Sequence, residues 1–242
     1  MNYKLVLDIV MGSVIPIIIL NNLNEQLGTE TTYVVAALVP VAWVLVDSLF
    51  ITKRFNFITS YVGAFAMLRG LLAFWFVDGL QFAFKDSIGF IFTAMVFGGS
   101  MVIRRPIIRY FLIQGLGPSS PEQEKSLKEL LRQSRVYRSL FKATKILLMI
   151  NLVTGVANFL INLQIVVADF GTTMFNQQVA QVNAITHILF TISEFGGIGI
   201  VAMFIRRAMF YYLPQEGDKE QSDSDFWDLL QLWKTQKTAA DS

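Results

Sequence analysis

The sequence predicts an all-α integral membrane protein: a bundle of six transmembrane helices, both termini cytoplasmic, with a basic amphipathic helix between spans four and five. Three observations carry this. Only 16% of the 242 residues are charged, against about 25% in a water-soluble domain, so polar surface is too scarce to cover a globule. Six stretches stay apolar over the roughly 20 residues that a helix needs to cross about 30 Å of hydrocarbon. Lysine and arginine alternate from one connection to the next, as the positive-inside rule requires.

The same composition removes several function classes. The chain has no cysteine, so a disulfide scaffold or a thiolate metal site cannot be built. With one histidine and no ligand cluster, neither a metal nor another cofactor is expected, and an intramembrane enzyme is the weakest of the functional readings. Hydrophobic residues make up 54% of the chain, which excludes general disorder. A net charge of +2 gives no reason to expect nucleic acid.

The spans run from Lys4 to Asn21, Tyr33 to Thr52, Phe57 to Val77, Ile88 to Ile103, Lys145 to Val167 and Asn183 to Ile205. The first is short enough to resemble a signal peptide. Asp8 interrupts it, Pro16 lies inside it and no small-x-small site follows Leu20, so it reads as a retained span. Lys53 and Arg54 follow span two, ten basic residues lie between Arg104 and Lys145, and Arg206 and Arg207 follow span six. The loops after spans one and five carry acids only, and Lys85 stands between two aspartates in the Asp78 to Ser87 loop. This alternation predicts an even number of crossings with both ends in the cytoplasm, with residues 1–214 as the membrane domain and 215–242 as an acidic, partly flexible cytoplasmic tail.

Between spans four and five the chain turns at Gly115-Leu116-Gly117-Pro118 and restarts after Ser120, with Pro121 at the first helical position and Glu122 and Glu124 in the first turn. Leucines then recur at helical spacing, while Lys125, Lys128, Arg132, Arg135 and Lys142 line another face. Such a helix lies at the headgroups with its cations toward anionic lipid; alternatively it is a solvated loop or packs on the bundle. In the tail, Phe226, Leu229, Leu230 and Trp233 fall at i, i+3, i+4 and i+7, which fits a short amphipathic helix or a frayed end.

Polar residues inside apolar spans are costly and usually face a bundle interior or a cavity. Arg69 lies about 18 Å along span three by the helical rise, and Glu194 about halfway down span six, so the two are expected at similar depth as an ion pair that either fixes helix register or serves transport. His187 and Thr191 share a helical face with Glu194, as a proton path or as interfacial hydrogen bonding. Asn151, Thr154, Asn158 and Asn162 form a stripe on span five, suited to interhelical glue and also to pore lining. Asp8 and Asp47 at the cytoplasmic ends of spans one and two are within reach of Arg54, Arg104 and Arg105, which predicts an anchoring salt-bridge network. Gly98, Gly99, Gly196, Gly197 and Gly199 permit close helix approach; no GK[ST] follows them, so they are not a phosphate loop. Phe92-Thr93 and Phe97-Gly98-Gly99, followed by Ile103-Arg104-Arg105, match Phe190-Thr191, Phe195-Gly196-Gly197 and Ile205-Arg206-Arg207, either as a parallel repeat or by chance.

Leu7-Asp8-Ile9-Val10 with Pro16, Pro40 with the basic pair after span two, and Arg104-Arg105-Pro106 resemble a family of bacterial membrane proteins related to intracellular septation protein A. The likeness covers roughly the first half of the chain. The family's tryptophan-glycine pairing in span five is replaced here by Thr154-Gly155, and the acidic tail is private to this chain. The resemblance implies a polytopic inner-membrane protein connected with envelope upkeep or division; it implies no catalytic residue. Two functions remain near parity. In one, the polar residues line a path for a small transporter or channel. In the other, they lock a membrane scaffold together, with anionic lipid, a partner protein or a second copy of the chain bound at its basic and acidic surfaces.

Overall fold

The computed structural model describes residues 7, 10–47, 57–73, 75–215 and 224–241. Every regular element among them is helical: a π-helical turn Val10–Val14, then α1 (Ile15–Asn22), α2 (Asn24–Leu27), α3 (Thr29–Val46), α4 (Phe57–Ala73), α5 (Gly79–Val102), α6 (Ile108–Leu116), α7 (Pro121–Leu130), α8 (Ser134–Ile165), α9 (Thr173–Phe210) and α10 (Phe226–Asp241). Three of them, α5, α8 and α9, are long and apolar enough to cross a membrane, and Ser60–Leu72 of α4 is a shorter apolar helix. This is the architecture of a helical membrane protein.

The sequence underestimates the long helices because hydropathy marks only the apolar part of each. The helix expected as span four begins at Gly79 rather than Ile88, so most of the segment expected as a loop opens a 24-residue helix. No proline stands between Gly79 and Val102, and Lys85 and Asp86 both find hydrogen-bond partners there. Helices α8 and α9, at 32 and 38 residues, extend about 48 and 57 Å by the helical rise, well past a bilayer's hydrocarbon. The first span is also less regular than expected: a π-helical turn precedes α1, whose first turn holds Pro16.

The basic helix between spans four and five is interrupted. Ser120 caps α7 by accepting the Gln123 amide at 3.2 Å, and the Gln123 side chain accepts the Ser119 amide at 2.8 Å, close to the reciprocal cap expected of this sequence. At its other end Arg132 and Gln133 donate to the Glu129 and Leu130 carbonyls, a tight turn that bends the chain before Ser134. Arg135, Arg138 and Lys142 therefore belong to the first turns of α8, not to a continuous amphipathic helix. The bend lets Leu127, Leu130, Leu131, Val136 and Leu140 all become fully buried, so both apolar faces are covered at once. The tail helix forms and packs on α7, burying Leu229, Leu230 and Trp233.

By contact density the chain divides into two compact units. One comprises Met1–Phe92 with Ala157–Asn183, the other Thr93–Val156 with Ala184–Ser242. The first is organised around Phe82, Val166, Phe175 and Val182. Phe82 meets the Phe175 ring edge-on at 5.1 Å. The chain after α8 is fastened there: the Val167 and Ala168 amides donate to the Gln178 side chain at 3.0 and 2.9 Å, and the Phe170 amide to Asp78 at 3.2 Å. The second unit holds α6, α7, α10 and their buried leucines.

Candidate intramembrane polar site

Within the first unit, the stripe on α8 meets α5. Asn158 and Asn162 are almost fully buried, where an amide without partners would cost several kcal/mol, or about 1–3 by mutational measure. Both amides donate to the same oxygen, Asp86 Oδ2, at 2.9 and 3.0 Å, and Asn158 also donates to Ser87 Oγ at 3.1 Å. Asn162 adds a bond to the Asn158 carbonyl at 3.0 Å. These two asparagines therefore join helices. Thr154 bonds within its own helix, to the Ile150 and Asn151 carbonyls at 2.8 and 3.1 Å. Asn151 is half-buried and belongs to the second unit.

Asp86 also faces a pocket. Arg69, Leu72, Phe82, Lys85, Asp86, Ile88 and Gly89 line a space of about 230 Å³. Arg69 projects from α4, its guanidinium 5.9 Å from the Phe65 ring centroid, close enough for a cation–π contribution. Gly89 allows this wall to close up: a Cβ there would meet the Phe65 ring at 2.9 Å. Lys85 Nζ donates to the Trp75 carbonyl at 2.7 Å, which anchors one cation at the rim. Two cations and one carboxylate thus share a pocket between α4 and α5. With two cations against one carboxylate, the pocket carries an excess of positive charge.

Sequence reasoning singled out Arg69, Asn158 and Asn162 but missed Lys85 and Asp86, which it placed in a loop. The available signal was the uninterrupted helix-compatible run from Gly79 onward, with Phe82, Lys85, Asp86 and Gly89 at spacings of three and four. Glu194 and His187 are exposed on α9 in the second unit, and Thr191 is half-buried beside them. Arg69 belongs to the first unit. Asp47 is fully buried in the first unit, and Arg104 and Arg105 are exposed in the second; Asp8 and Arg54 lie outside the described residues. Lys125, Lys128, Arg132, Arg135 and Lys142 are all exposed. Lys128 bonds Glu124, and Arg135 lies 4.1 Å from the Tyr211 ring centroid.

No protein-family model, curated protein or solved structure matches the chain. The chemistry must be read from its own residues. Of the five glycines expected to permit close helix approach, only Gly197 has neighbours within 4 Å of where a Cβ would stand, the Ile150 and Leu147 side chains. Gly98, Gly99, Gly196 and Gly199 face open space; Gly89, not singled out by sequence, is a second close contact, against the Phe65 ring. Among the described residues no group of three or more acids and histidines gathers to hold a metal.

Proposed function

We propose that this chain is a small transporter or channel-like protein of the bacterial inner membrane, with six spans and both ends in the cytoplasm, whose solute passes the Arg69–Lys85–Asp86 pocket. The observation that carries this reading is a cavity lined by three charged side chains on two apolar helices. Charges are kept at such a place only where water or a solute reaches them, because hydrocarbon solvates none. The positive excess favours an anionic solute, as rings of basic side chains do in anion pores.

The absence of cysteine makes a direct test simple. Single cysteines at Leu72 and Ile88, which line the pocket, are compared with cysteines at Leu71 and Ile91, which are exposed and lie outside that lining. In native membranes a charged thiol reagent is expected to label the first pair and spare the second. Equal protection of all four positions would remove the transport reading.

A scaffold is the second reading, and a specific observation favours it: the amides of Asn158 and Asn162 are used to join α5 to α8, which is the role of glue. In that reading the exposed basic residues and the α7–α10 pair meet anionic lipid, a partner or a second copy of the chain, in envelope upkeep or division. Protection of all four cysteines would support it.

A further inference from the structure

The opposite charges of the Arg69 pocket are kept apart. Lys85 and Asp86 are neighbours on α5, so their side chains leave the helix about 100° from one another at 3.6 residues per turn. Each is then held by a partner outside the pair: Lys85 Nζ donates to the Trp75 carbonyl at 2.7 Å, and Asp86 Oδ2 accepts the Asn158 and Asn162 amides at 2.9 and 3.0 Å. Arg69 stands on α4, its guanidinium 5.9 Å from the Phe65 ring centroid. Among the described residues no ion pair joins Asp86 to either cation, although all three side chains line one space of about 230 Å³.

Donors and an acceptor are left over. A lysine carries three N–H donors and an arginine five, and among the described residues the two cations use one of them, on Trp75. Asp86 Oδ1 accepts from none of these residues. Separated charges on apolar helices gain from a solute that bridges them, because each is costly until it is paired. A simple anion does this badly, since it pairs with the cations and meets the Asp86 carboxylate as a like charge. A solute that also carries an ammonium satisfies all three groups. Size follows from the cavity: about 230 Å³ lies below the roughly 300–1,000 Å³ of sites for drug-sized ligands, and Leu72, Phe82 and Ile88 give it an apolar wall for a short carbon chain.

We propose that the solute of this pocket is a small amino dicarboxylate, whose two carboxylates pair with Arg69 and Lys85 and whose ammonium donates to Asp86 Oδ1. Two carboxylates and one ammonium are the counterpart of two cations and one carboxylate. The solute keeps the net negative charge that the pocket's positive excess selects, and the planar guanidinium fork of Arg69 suits a carboxylate. This inference rests on the transport reading and adds the ammonium to it, with Asp86 as the residue that determines specificity.

The test is isothermal titration calorimetry on the full chain in a neutral maltoside detergent, at neutral pH and matched ionic strength. Three probes share one carbon skeleton: L-glutamate; glutarate, which lacks the ammonium; and L-norvaline, which lacks the second carboxylate. L-Glutamate should bind at least about tenfold more tightly than either, the lower end for a hydrogen bond to a charged group. Asp86→Asn keeps an oxygen for the Asn158 and Asn162 amides but removes the charge, so it should weaken L-glutamate and strengthen glutarate until the preference between them is lost. Arg69→Gln, at an exposed position, should weaken L-glutamate about tenfold, as loss of a charge-assisted fork does. Should Asp86→Asn fail to fold, the order of the three probes on the unsubstituted chain and the loss in Arg69→Gln decide. Equal binding of glutarate or L-norvaline, a preference for L-glutamate that survives Asp86→Asn, or no binding of any probe would overturn the proposal. If the cysteines at Leu72 and Ile88 are labelled, such a result strikes the amino dicarboxylate and leaves the transport reading standing; if they are protected, both fall.

Discussion

Replacing Asp86 by alanine leaves the Asn158 and Asn162 amides of α8 facing α5 without their shared acceptor, at a place where both side chains are almost fully buried. In water-soluble proteins a hydrogen bond to a charged group contributes about 1.5–3 kcal/mol. In membranes the average measured across helices is only about 0.6 kcal/mol, with a maximum near 1.7, because the unfolded helices also find partners. The acceptor is a carboxylate oxygen, reached at 2.9 and 3.0 Å, and its charge places each bond toward the upper part of that range. Asp86→Ala should therefore cost about 2 kcal/mol, a factor of roughly 30 in the unfolding equilibrium. Asn158→Ala should cost somewhat more than Asn162→Ala, since it also loses the bond to Ser87 Oγ. The assay is reversible unfolding of the purified chain in mixed micelles titrated with sodium dodecyl sulfate. In a double-mutant cycle, Asp86→Ala and Asn158→Ala should couple by about 1 kcal/mol, beyond the 0.3–0.5 kcal/mol at which independent sites add. Strict additivity would show that the amides do not depend on Asp86, and the account of how α5 and α8 are joined would fail.

Docking of the tail helix should depend on pH. Bonds from Lys234 and Lys237 hold the Glu129 carboxyl below its ordinary pKa, so their contribution is complete above the unfolded value and is lost as pH falls through the lower folded one. The protection factor of the α10 amides, measured against the intrinsic exchange rate at each pH, should fall on acidification by no more than about 1 kcal/mol for so exposed a network, and Glu129→Gln should flatten this dependence. Arg104 has φ +55°, in the left-handed region, so Arg104→Gly should raise stability by about 1 kcal/mol, the left-handed cost of a side chain less the extra chain entropy that glycine loses; a lower Tm would refute the strain. Gly89→Ala should lower stability by about 1–3 kcal/mol, as overpacking does, because the Phe65 ring it meets at 2.9 Å cannot yield as a flexible chain end can. Gly98→Ala, facing open space, should be neutral or gain up to about 1 kcal/mol from helix propensity, and thermal melts of the two variants separate the cases.

Several features were legible because their causes are local. The start of α7 follows from Ser120, Pro121 and the acids after them, all within one turn. The helix in the tail follows from Phe226, Leu229, Leu230 and Trp233 on one face, although its packing partner did not. The bend at Leu131 to Gln133 was not legible, because leucines on either side of it fit one continuous helical period as well as two. The first turns of α5 were hidden for a different reason, since hydropathy marks only the apolar part of a helix. Lys85 and Asp86 read as loop residues until the structure shows what accepts and donates to them.

The sequence alone determined that this chain is helical and belongs in a membrane, since the free energy of placing an apolar helix in hydrocarbon is a sum over its own residues. It also marked the stripe on α8 and the isolated Arg69 as polar groups needing partners. Which partners they take was settled only by tertiary structure. Asn158 and Asp86 are 72 residues apart, and Lys234 is 105 residues from Glu129. Such meetings depend on the rotation and register of two separate helices, a relation that neither segment encodes by itself.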